Sequence, residues 1–287
     1  MILFLRKRSS VHGFHFNFFW LLLIVNLSLI WGQQSQDPMT LNGGSILAMT
    51  GENCVAIAVD KRFGAGPQMV NISPRTVYIP NSNVLVAFSG LDGDIQSLSR
   101  EVAVQVSSKI SRNIGFGFED SASSSIISAK SMSQLLSHML YRRRQSPYFV
   151  EPIIAGIEKV IDDPENDGIL HQSDSVHVSA QSAEQQKTHL QEKSSTSYRP
   201  FLCVQDCIGA QSRSQSFVCS GAASNSLYGT AEAMWRPGLT SDELVQICGK
   251  AFLSALERDC LSGYGAVIYL IDGENGIEEI DLVTRND

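Results

Sequence analysis

Asn42-Gly43-Gly44-Ser45-Ile46-Leu47-Ala48-Met49, followed by Asn53-Cys54-Val55-Ala56-Ile57-Ala58-Val59-Asp60-Lys61-Arg62-Phe63-Gly64, is the stretch on which the fold turns. Ser45–Met49 and Cys54–Val59 are apolar runs too short for helices. Between them, Thr50-Gly51-Glu52-Asn53 is a turn signal, so two neighbouring strands are expected.

Outward from there the chain alternates strand pairs with helix pairs. Val77–Ile79 and Val84–Ser89 form a second strand pair around Pro80-Asn81-Ser82. After Leu91-Asp92-Gly93-Asp94, the residues Ile95, Leu98, Val102, Val106 and Ile110 recur at helical spacing. Met132, Leu135, Leu136, Met139 and Leu140 predict a second helix ending near Arg142-Arg143-Arg144, a solvated terminus facing the negative pole of the helix dipole. Strands are expected again at Pro152–Ala155, Phe201–Gln205 and Ser216–Ser220. Leu227, Ala231 and Met234 mark a third helix. A fourth starts at Thr240, with Glu243 placed for a capping box, and puts Leu244, Ile247, Cys248, Ala251, Phe252 and Ala255 on one face. Ala266–Ile271 and Ile277–Val283 close the chain around Asp272-Gly273-Glu274-Asn275-Gly276. This order suits an α+β sandwich, two antiparallel sheets packed together with helices over each outer face.

Composition agrees. With 287 residues, 43% hydrophobic and 18% charged, the chain has material for one large domain or two small ones. It is neither disordered throughout nor collagen-like. A net charge of −7 argues against nucleic acid as a partner, since phosphate contacts need clustered Lys and Arg.

Two attachments stand apart from this body. Residues 1–38 begin with the basic Arg6, Lys7 and Arg8, followed by a stretch rich in Phe, Trp, Leu and Ile up to Trp31 and Gly32. They read as a secretory signal, as an extension ahead of a true start at Met39, or as a membrane anchor. The second attachment, about 160–198, holds seven acids against two lysines, including the cluster Asp162, Asp163, Glu165 and Asp167. It is too polar to bury its own surface and too long for an ordinary connection, so a flexible surface insertion is expected. Its histidines His171, His177 and His189 match no metal spacing.

The quoted opening resembles that of proteasome beta subunits, with the beta type-3 branch of that family nearest. The likeness continues in Leu140-Tyr141-Arg142, in Pro147-Tyr148-Phe149-Val150-Glu151-Pro152-Ile153-Ile154-Ala155-Gly156, and in Cys219-Ser220-Gly221. It returns in Leu227-Tyr228-Gly229 and Arg258-Asp259-Cys260-Leu261-Ser262-Gly263-Tyr264-Gly265. It covers roughly 39–160 and 199–287. The resemblance implies the four-layer αββα fold of the N-terminal nucleophile hydrolases, with 39–287 as one beta-type domain interrupted by the insertion. It also implies a place in a beta ring of the proteasome core particle, which carries out ubiquitin-dependent protein degradation.

Catalytic members of that family free an N-terminal threonine whose own α-amine serves as base, tuned by a lysine that an aspartate orients. Carried onto this chain with Asp60 as the strand-end aspartate, the nucleophile slot falls on Gly44, which has no hydroxyl. The lysine slot falls on or beside Thr76, next to Arg75, and no lysine lies between Lys61 and Lys109. Asp60, Ser220, Asp259 and Ser262 match supporting positions and are expected to hold loops rather than to catalyse. Cleavage before Ser45 would expose an N-terminal serine, the remaining catalytic alternative.

The expected function is therefore a non-catalytic ring subunit, with other beta subunits and alpha subunits as partners. No cofactor, metal, small-molecule ligand, nucleic acid or membrane is expected. Cys54, Cys203, Cys219 and Cys248 lie in apolar patterns as buried thiols, and the Cys203–Cys207 spacing fits no redox or zinc pair. The resemblance implies the cytoplasm and nucleus, where thiols stay reduced, which favours a start near Met39 over secretion.

Overall fold

In the computed structural model, the described residues are 37–72, 77–115, 127–159, 198–273 and 275–282. They contain twelve strands and four helices. The strands are β1 Ser45–Thr50, β2 Cys54–Asp60, β3 Arg62–Ala65, β4 Gln68–Ile72, β5 Val77–Asn81, β6 Val84–Gly90, β7 Val150–Lys159, β8 Tyr198–Gln205, β9 Gln211–Arg213, β10 Phe217–Gly221, β11 Ala266–Asp272 and β12 Gly276–Leu282. The helices are α1 Asp92–Gly115, α2 Ala129–Arg142, α3 Ser224–Met234 and α4 Ser241–Leu256.

Two five-stranded antiparallel sheets carry the fold. One runs β10-β1-β2-β11-β12 and the other β5-β6-β7-β8-β9, while β3 and β4 form a separate hairpin. Side-chain alternation builds the layers. Ile46 and Ala48 of β1, with Val55, Ile57 and Val59 of β2, meet Leu85, Ala87, Ile153 and Ala155 between the sheets. The alternate residues Leu47, Met49, Ala56 and Ala58 face Leu227 of α3 and Leu244, Cys248 and Phe252 of α4. On the far side Val84, Val86 and Phe88 of β6 face Ile95, Leu98 and Val102 of α1 and Met132, Leu136 and Leu140 of α2. Both faces of each central strand are thus buried, which explains why β1, β2 and β6 read as unbroken apolar runs. The result is the four-layer αββα sandwich expected from the sequence.

Three short strands have no counterpart in the hydrophobic pattern. β3 and β4 turn through Gly66-Pro67, and β4 is exposed along its whole length. β9 is three exposed polar residues held by pairing with β8. The capping box also differs. Thr240 is the N-cap of α4, yet its side chain makes no capping bond. Glu243 instead meets Arg236 at 3.1 Å, so the exposed carboxylate is drawn to a cation rather than to the cap. At α2, by contrast, the Ser128 hydroxyl accepts from the Ser131 N–H at 3.2 Å. The insertion, Thr76, Arg75 and nearly all of residues 1–38 lie outside the described residues.

Candidate functional site

The site lies where β1 begins and β2 ends. Asn42, Gly43, Gly44, Ser45, Asp60, Arg62, Ser89 and Asp92 are among the residues lining a small cavity of about 30 Å³, room for little more than a water. Gly44, part of its lining, has φ +91°, a left-handed conformation that favours glycine. A Cβ at Gly44 would come within 3.3 Å of Asp60 Oδ1.

Gly44 is also held within an uninterrupted backbone. Its N–H donates to the Leu261 carbonyl at 3.2 Å, and its carbonyl accepts from the Ala222 N–H at 2.9 Å. The preceding residues run beside β3: Gly64 N–H donates to the Asn42 carbonyl and Gly66 N–H to the Leu41 carbonyl. The Asn42 side chain ties both ends, donating to the Gly64 carbonyl and accepting from Asp92 N–H, each at 2.9 Å. Arg62 completes the clamp from a buried position, giving Nη1 to the Leu261 carbonyl and Nη2 to the Gly66 carbonyl. The guanidinium lies where side chains on Gly43 or Gly64 would collide with it.

Asp60 is almost wholly buried. Its Oδ1 accepts from Ser45 N–H at 3.1 Å and its Oδ2 from Gly263 N–H at 3.2 Å. Loss of water pushes its pKa up to about 7, although these two N–H bonds and the charge of Arg62 pull the other way. The Ser45 amide is therefore a peptide donor to Asp60, not an amine with a free lone pair.

The Ser45 hydroxyl is fully buried and spoken for. Ser262 gives its only hydrogen to Asp259 Oδ2 at 2.6 Å. Across the 2.7 Å contact between the two serine oxygens, Ser45 must then be the donor. Ser45 Oγ in turn accepts from Ala223 N–H at 2.9 Å. The chain of donors runs from Ala223 through Ser45 and Ser262 and ends on the Asp259 carboxylate, which Ser45 reaches only through Ser262.

Of the residues singled out from the sequence, Gly44, Asp60, Asp259 and Ser262 meet around Ser45. Ser220 stands apart: it pairs with Ile46 across the strands, and its hydroxyl donates to Glu151 Oε2 at 2.8 Å beside Ser89. That places it on the face between the sheets, whereas Ser45 Oγ turns to Ala223 and Ser262. Sequence reasoning did not assign Asn42, Arg62, Ser89 or Glu151. Asn42 and Arg62 were inside the opening motif, and an arginine just after Asp60 was the available signal. Among the described residues no group of three or more His, Cys, Asp or Glu is placed to hold a metal ion. No described helix is long and apolar enough to cross a membrane.

A family profile for the proteasome subunit matches residues 40–164 and 194–271 of this chain. The chain belongs to the proteasome subunit family. Among similar curated proteins, Proteasome subunit beta type-3 of Saccharomyces cerevisiae is 32% identical over 236 residues, covering 82% of this chain and 92% of the yeast protein. The beta type-3 subunit of Picea mariana is 30% identical over 237 residues, covering 83% and 93%. That of Drosophila melanogaster is 28% identical over 249 residues, covering 87% and 98%. The family match thus agrees with the sandwich and with the motifs that first suggested it.

Proposed function

We propose that this chain is a non-catalytic beta subunit of the proteasome core particle. It walls the chamber in which other subunits cut unfolded proteins, and its partners are beta and alpha subunits in stacked rings. The observation that carries this is Gly44: the nucleophile slot holds glycine, in a left-handed conformation, inside a backbone tied down on both sides. The likeness to beta type-3 subunits over most of each relative's length supports the same reading. Asp60, Ser220, Asp259 and Ser262 act in it as loop-holding hydrogen-bond partners. Residues 39–287 form one beta-type domain that opens at about 160–198 for the insertion, and the protein works in the cytoplasm and nucleus.

Ser45 is a poor nucleophile in this arrangement, because its hydroxyl is buried and its nitrogen lies in a peptide bond to Gly44. Affinity purification of the natural protein is expected to return a large multi-subunit particle, whereas the isolated chain hydrolyses no fluorogenic peptide. Recovery as a lone monomer would defeat the assignment. Gly44→Thr restores the hydroxyl type without restoring activity. It also lowers unfolding free energy by roughly 1–3 kcal/mol in denaturant titration, the cost of a branched residue at positive φ. Peptidase activity in that variant would mean the remaining frame is still competent.

A further inference from the structure

We propose that the C-terminal end of α2 is a docking surface for a carboxylate-rich face of another protein chain in the particle, which rests on the subunit reading above. Tyr141 to Ser146 are exposed without a break, and Phe149 joins them just before β7. Tyr141 is 56% exposed and Phe149 40%, large for aromatic groups on a free surface. Two of the three arginines among them are held in place. Arg143 lies 4.7 Å from the centre of the Tyr148 ring and 3.7 Å from Glu101, and Arg144 lies 4.8 Å from the centre of the Tyr141 ring. Arg142 belongs to the last turn of the helix.

Two acids beside this patch are already engaged. Glu101 faces Arg143, and Asp94 accepts the Phe149 N–H. Three consecutive arginines on a chain of net charge −7 make a local reversal of sign. Guanidinium groups stacked on aromatic rings lose little freedom when they meet a carboxylate, and arginine with tyrosine is the composition of interface centres.

The test co-expresses the full chain with its fellow subunits as wild type, as Arg142→Glu/Arg144→Glu, as Arg142→Gln/Arg144→Gln and as Arg142→Lys/Arg144→Lys. Arg143 stays because it braces Tyr148. Recovery in the assembled particle on native gels is expected to fall about tenfold for the charge reversal and a few-fold for the glutamine pair, and to persist for the lysine pair. Circular dichroism of each isolated chain identifies any variant that does not fold, and the glutamine pair carries the test if the reversal is one of them. Equal recovery of wild type and both charge-removing variants overturns the docking surface and leaves the subunit reading standing. Absence of the wild type from every particle overturns both. Assembly unaffected while the variants lose binding to phosphatidylserine-containing vesicles or to a single-stranded oligonucleotide also overturns it, in favour of those partners.

Discussion

Asp60 shows how one buried residue beside Gly44 governs behaviour. Its folded pKa of about 7 stands well above the ordinary aspartate value, and burial is the main cause. The native state therefore holds this proton over a range in which the unfolded chain has released it. The contribution of Asp60 to stability is fully present below pH 4 and is lost as pH rises toward 7. Asp60→Asn removes the titration while leaving one amide oxygen to accept from Ser45 N–H. Its denaturant midpoint should be flatter than the wild type's between pH 4 and 7. An unchanged slope would show that Asp60 is already ionised in the folded protein at low pH. The same residue explains why Gly44 and Ser45 are fixed: a buried carboxyl group bonded to two backbone N–H groups fastens the start of β1 to the loop carrying Ser262 and Gly263.

Among the elements, the two helices with Ser or Thr at the N-cap differ in how they begin. Ser128 caps α2 through its hydroxyl, while Thr240 precedes α4 with its side chain uncommitted. Ser128→Ala is expected to cost about 1 kcal/mol in equilibrium unfolding, and Thr240→Ala less than about 0.5 kcal/mol. The reverse ranking would mean that Thr240 caps α4 in solution. The hairpin β3–β4 makes a related point. It has no core of its own and exists because Arg62 is buried at its root and Asn42 bonds across to Gly64. Such an element is fixed by its contacts and not by local preference.

At the scale of the whole molecule, the insertion leaves the fold at a single point. Lys159 and Tyr198 are partners in the β7–β8 ladder, so the chain departs and returns at neighbouring positions about 5 Å apart. Replacing residues 160–197 by Asn-Gly, a two-residue hairpin turn, should leave the sandwich folded, with a thermal midpoint within a few degrees of the full chain. Collapse of the shortened protein would show that the insertion contributes to the core.

The long elements were legible because their side chains carry a period. Leu47, Ala48 and Met49 alternate between two buried layers, and Leu244, Cys248, Ala251, Phe252 and Ala255 mark one helix face. β9 and the hairpin were not legible, because Gln211, Ser212 and Arg213 are strand only through pairing with β8. The site divides in the same way. That Gly44 has no hydroxyl is a property of the sequence alone, since no folding can supply a missing atom. What holds Ser45 in place was decided only by tertiary structure. Its buried hydroxyl is bonded to Ser262, 217 positions away, and Ala223 and Asp60 fix its remaining polar groups. Contacts across such separations arise from how the sheets stack, and no local pattern in the chain encodes them.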